Sequence, residues 1–93
     1  MLVLVKSALD TPEGKRGVTI ARSLGADLAL LQNAVFFSQD SLIDAFPAAI
    51  HLLGEDMQMR GLATDQLPSS CRIISYGGLV DLLAAHEQVT GVF

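Results

Sequence analysis

Apolar residues fall in short, dense runs along this chain, and polar or turn-forming residues separate them. Leu2–Val5 is the first run, a four-residue block that fits a strand buried on both faces. Asp10-Thr11-Pro12-Glu13 then reads as a helix start, with Asp10 or Thr11 as cap and Pro12 pre-set for the first turn. Val18, Ile20, Ala21 and Leu24 share part of one helical face, and Gly25 ends that helix. Gly14 and Gly17 each weaken it by roughly 1 kcal/mol relative to alanine. Leu28–Leu31 reads as the second strand. The third is 49–53, the fourth 71–75. Between the second and third, SQDSLIDAF predicts a helix capped by Ser38 or Asp40 and stopped by Pro47. Short helices are expected over 56–61 and 79–87, and VTGVF reads as an apolar tail.

Strands that alternate with helices imply an α/β fold. The expected architecture is a small doubly wound domain of about four mainly parallel strands with helices on both faces. Ninety-three residues make one domain, 1–93. No run approaches the roughly 18 apolar residues of a membrane span. The opening MLVLVKSALD lacks a basic n-region and a small-residue cleavage site, so it reads as a strand and not as a signal peptide. A cytoplasmic location is the default expectation.

Composition changes this picture in one respect. Hydrophobic residues make up 51% of the chain and charged residues 17%, which is apolar for a domain with so much surface to cover. That excess suggests burial against another chain. The net charge is −4, and Lys6, Lys15, Arg16, Arg22, Arg60 and Arg72 are scattered. Direct binding of nucleic acid needs clustered positive charge and is therefore disfavoured.

The stretch DLALLQNAVFF carries the candidate site. In an open α/β sheet the carboxyl ends of strands build sites. Gln32 and Asn33 stand at such an end, with carboxamides able to bind a ligand or a partner backbone or to cap a helix. Val35, Phe36 and Phe37 follow, more apolar bulk than a surface loop needs. Cys71 is the single thiol. It begins its strand, away from the site end, with Arg72 on the opposite face, so a half-buried structural cysteine is the plainer reading. Glu55 and Asp56 suit a helix N-terminus better than acid–base work, and Arg60 can return to Asp56 at i,i+4. His51 alternates with Ile50 and Leu52 as a core or interface residue, and His86 suits a helix C-terminus. No metal-ligand spacing or phosphate-binding glycine motif is present, and neither a metal nor a cofactor is expected.

LVLVKSALD, LALLQNAVFF, IHLLGEDMQMRGL and CRIISYGGLVDLLAAHE, taken in order, resemble the DsrE/DsrF/DsrH superfamily and most closely its DsrH/TusB-like branch. Glu55, Asp56, Arg60 and Gly61 match its E-D-x-x-x-R-G pattern, and Tyr76 to His86 match its final aromatic residue and short helix. The resemblance implies a subunit of a sulfur-relay complex with DsrE/TusD-like and DsrF/TusC-like partners, passing persulfide sulfur toward 2-thiouridine at the tRNA wobble position or serving sulfur oxidation. It places the reactive cysteine chiefly on the DsrE/TusD-like subunit. Some DsrH proteins carry a cysteine near the first helix; this chain has none between Lys6 and Gly25. A non-catalytic subunit is therefore expected, with Val35, Phe36 and Phe37 packing a subunit interface. The alternatives are a persulfide carrier or small sulfurtransferase using Cys71, and a self-associating ligand-binding domain using the Gln32–Asn33 corner.

Overall fold

A computed structural model describes residues 1–65 and 67–92. The elements run β1 (Leu2–Val5), α1 (Pro12–Leu24), β2 (Asp27–Leu30), two 3-10 helices (Gln32–Gln39 and Ser41–Ile43), β3 (Ile50–Leu53), α2 (Gly54–Met59), β4 (Cys71–Ile74), α3 (Tyr76–Ala85) and β5 (Val89–Val92). The strands form one parallel sheet in the order β4-β3-β2-β1-β5. The α/β expectation holds, with a fifth strand where the sequence suggested only a tail. VTGV shows no buried run of its own. It is a strand because Leu2 and Val5 lie in register with Val89 and Val92.

The inner strands are mainly apolar, and helices lie on both faces of the sheet. A Cβ on Gly54, which opens α2, would meet Ile73 Cγ2 at 2.9 Å; one on Gly78 in α3 would meet Ile74 Cβ at 3.3 Å. Ile73 and Ile74 are consecutive on β4 and point to opposite faces, so α2 and α3 lie on opposite sides of the sheet. The larger core sits on the α2 side. There Val3, Val5, Leu28, Leu30, Ile50 and Leu52 pack against Val18 and Ala21 of α1, Val35 and Phe37 of the first 3-10 helix, Ile43, Phe46 and Met57. On the other face Leu2, Ala29 and Leu53 are closed to solvent. Among the described residues no helix is long and apolar enough to cross a membrane.

Helix α1 begins as its sequence suggests. Thr11 Oγ1 accepts from Gly14 N–H at 3.1 Å, and the Thr11 hydroxyl donates to Ala8 O at 2.6 Å. Gly25 closes the helix at φ +63°, its N–H donating to Ala21 and Arg22 carbonyls. Gly14 and Gly17 are not mere weaknesses. A Cβ at Gly14 would collide with the Ala8 carbonyl oxygen, and one at Gly17 with Val5 Cγ2. The propensity lost is the cost of seating α1 close on β1.

The segment between β2 and β3 departs most from expectation. Helical structure starts at Gln32, six residues before Ser38, and it is 3-10 throughout. Asp40 adopts extended backbone, and its Oδ1 accepts from Leu42 N–H at 2.8 Å, which breaks the helix into two pieces. Arg22 then holds the second piece against α1. Its guanidinium donates to the carbonyls of Leu42, of Asp44 at 2.9 Å and of Ala45 at 3.4 Å, and lies 5.3 Å from the Phe46 ring centroid. The remaining boundaries shift by a few residues: α2 opens at Gly54 and α3 at Tyr76, directly after their strands.

Candidate functional site

The carboxyl ends of β2 and β3 meet in a polar corner made of Gln32, Asn33, Asp56 and Arg60. Residue 56 comes to this end because α2 starts directly after β3. The Asp56 carboxylate is buried, and its Oδ2 accepts from the Gln32 backbone N–H at 2.6 Å. Gln32 sits at φ +51°, a left-handed conformation costly for a residue with a Cβ. The short bond from Asp56 offsets that strain and fixes where the chain leaves β2. Arg60, one turn later, donates from Nε to Asn33 Oδ1 at 3.0 Å and from Nη1 to Asp56 O at 3.1 Å, with Nη1 3.7 Å from Asp56 Oδ1. The expected i,i+4 pair is present, and it also reaches across to the β2 end. Asn33 is thus held through its side chain, whereas the exposed Gln32 carboxamide has no hydrogen-bond partner among the described residues. Such a corner offers amide donors and acceptors; the described residues give it no nucleophile and no metal-binding cluster.

The three apolar residues beyond the corner divide. Val35 and Phe37 have 0% exposure and belong to the chain's own core, so they have no surface to offer a partner. The 3-10 turn buries both while leaving Phe36 partly exposed. The expectation that all three pack a subunit interface is corrected for Val35 and Phe37; of the three only Phe36, beside Gln32 and Asn33, keeps exposed surface. Sequence could not separate two adjacent phenylalanines without the phase of the 3-10 helix.

Cys71 starts β4, at the end of the sheet away from the corner, partly buried against the core. Burial pushes its thiol pKa up, and a hydrogen bond involving Ser70 offsets this in part. That is the reverse of an activated thiolate.

A second polar cluster, which sequence reading missed, lies under the C-terminal end of α3. His86 Nε2 is 3.1 Å from Asp27 Oδ2, and its Nδ1 is 3.0 Å from Leu82 O. Asp27 Oδ1 also accepts from Ala49 N–H at 3.1 Å. The residues are 59 positions apart, and no local signal links them. His51 stands on the same sheet face, buried, with Nδ1 unpartnered among the described residues. Burial lowers its pKa most; Asp27 opposes that, and Arg72 and His86 add to it. His51 is thus neutral in the folded chain where the unfolded imidazole, titrating near 6.5, takes up a proton. Folding stability from this group is complete above that value and is lost as pH falls from there through the lower folded value. Between about pH 7 and pH 5 the native chain should lose more unfolding free energy than His51→Leu in urea titrations; equal losses would exonerate His51.

Comparison with known proteins decides the family. A profile of DsrH-like proteins matches residues 16–89, well over half of the chain. The chain belongs to the DsrH-like family. Curated protein sequences give no match. Among solved structures, this DsrH-like chain resembles the crystal structure of the ychN protein from E. coli, with a TM-score of 0.80 at 16% identity over 97% of each chain. It also resembles the solution structure of Tm0979 from Thermotoga maritima, with a TM-score of 0.69 at 26% identity over 95% of this chain and 97% of that one. The first likeness establishes the shared fold. Both likenesses span nearly the full length of the DsrH-like chain.

Proposed function

We propose that this DsrH-like chain is a non-catalytic subunit of a cytoplasmic sulfur-relay complex, supporting persulfide transfer toward 2-thiouridine at the tRNA wobble position. The observation that carries the reading is the setting of Cys71. The only thiol in the sequence is half-buried, has a raised pKa and begins its strand at the end of the sheet away from the polar corner. A family member with its thiol so placed serves the relay through its surface. Gln32, Asn33 and Phe36 are the residues that meet a DsrE- or DsrF-like partner, with hydrogen-bonding carboxamides beside one partly exposed aromatic.

The test is co-purification with DsrE- and DsrF-like chains, followed by native mass spectrometry and a sulfur-transfer assay. A stable hetero-oligomer is expected, with transfer unchanged by Cys71→Ser. A chain that ignores both partners would remove the complex from the proposal. A Cys71→Ser variant that joins the complex but stops transfer would make this subunit a carrier.

A further inference from the structure

The chemistry of the polar corner fixes which of its atoms face outward. A guanidinium carries donors and no acceptor. Arg60 Nε donates to Asn33 at 3.0 Å, so the atom it meets has to be the amide oxygen, Oδ1. The Asn33 carboxamide is therefore held one way round, with its Nδ2 donors left over. Arg60 is itself held. Its Nη1 donates to Asp56 O at 3.1 Å and lies 3.7 Å from Asp56 Oδ1, while Nη2 makes no hydrogen bond among the described residues.

The acceptors of the corner are consumed by the same network. Asp56 is buried, its Oδ2 accepts from Gln32 N–H at 2.6 Å, and its Oδ1 faces Arg60. Asn33 Oδ1 is taken by Arg60 Nε. What remains is a surplus of donors, Asn33 Nδ2 and Arg60 Nη2. Each shares a carbon atom with one end of the Arg60–Asn33 bond, so the two flank that bond within the span of a single carboxylate. Asn33 is exposed and Arg60 partly so. In a 3-10 helix, side chains three positions apart eclipse. Phe36 thus stands in one row with Asn33 and keeps part of its ring exposed beside the donors.

We infer that this donor pair is a carboxylate-binding site, filled in the complex by an acidic side chain of the DsrE- or DsrF-like partner. One carboxylate oxygen accepts from Asn33 Nδ2 and the other from Arg60 Nη2. The inference rests on the proposed function for the partner, and it adds the group that the partner presents. A carboxylate satisfies both donors with charge-assisted bonds. A single backbone carbonyl would leave one donor unpaired in a closed interface, which is costly. A lysine or arginine would bring further donors to a site that has no free acceptor. Phe36 keeps water from one side of the contact, and that strengthens it. Arg60 acts here twice, as a donor and as the positioning residue that stops the Asn33 amide from turning its oxygen outward.

The test has two arms. On the chain alone, titration with sodium acetate at constant ionic strength should shift the Asn33 side-chain amide and Arg60 Nε resonances along a saturating curve. Sodium chloride and acetamide should not. With partner chains, Asn33→Asp is the decisive variant. Its carboxylate still accepts from Arg60 Nε, so urea unfolding should show a chain at least as stable as wild type. It replaces the Nδ2 donors with an anionic oxygen, so the acetate shifts should vanish and affinity for the partner should fall about tenfold or more. Arg60→Lys, which keeps the charge and loses the fork, should bind more weakly than wild type and better than Arg60→Met. The inference is overturned if acetate acts no differently from acetamide, or if Asn33→Asp binds partner chains as well as wild type does. A wild-type chain that binds acetate at the corner but ignores both partners removes the proposed function and leaves the carboxylate site standing.

Discussion

Phe37→Ala should cost the isolated chain about 4 kcal/mol in chemical denaturation, or roughly 20 °C in melting temperature. The ring is fully buried between the sheet and the 3-10 helix, among the side chains of the main core. Truncation removes the transfer free energy of the ring and leaves a hole, and in a domain this small the rigid sheet floor cannot close it. Phe36→Ala, one residue away, should cost under about 2 kcal/mol, because its ring is already partly in water. Its effect should show instead in co-purification with partner chains. The pair of variants separates core from contact surface at neighbouring positions. A stable Phe37→Ala chain that merely lost its partners would mean that the ring belongs to an interface after all.

Asp56→Ala should cost about 2–4 kcal/mol. The Arg60 interaction is the smaller part of this, since the guanidinium is partly exposed and the closest charged approach is 3.7 Å. Most of the loss comes from the Gln32 N–H, which loses its 2.6 Å partner while the chain is still required to turn through φ +51°. Asp56→Asn keeps an acceptor near that N–H and should cost less than half as much. Urea unfolding ranks the two. Amide chemical shifts should show Gln32 and Asn33 as the residues that move. Equal costs for both variants would mean that charge, and not the bond to Gln32, holds the corner.

How far the sequence led depended on how local the cause was. Leu2–Val5 needs only its own apolar run, and Thr11, Pro12 and Gly25 bracket α1 through contacts within one turn. These were legible. So was the Asp56–Arg60 pair, which helical spacing brings together. β5 was not, because its residues are a strand only by pairing with β1. The phase of the first 3-10 helix was not, because that helix starts at Gln32, whose N–H is held by Asp56 from another element. The corner was half legible: Gln32 and Asn33 stood out as polar residues in an apolar run, while their links to Asp56 and Arg60 join residues 24 and 27 positions apart. His86 and Asp27, further apart still, left no trace in the pattern.

The pairing of Leu2 with Val89 has a consequence for how the chain is made. β1 leaves the ribosome before the other strands, and one of its two neighbours, β2, follows shortly. Its other neighbour is synthesised last of the five strands. During translation, therefore, β1 carries an open, apolar flank until β5 has emerged, and α3 has no completed sheet to lie across. Docking of β5 is a late, long-range event, of the kind that slows folding and leaves a nascent chain exposed to the wrong partner. A ribosome-stalled chain ending before Val89 should thus be the stage at which chaperones bind it most.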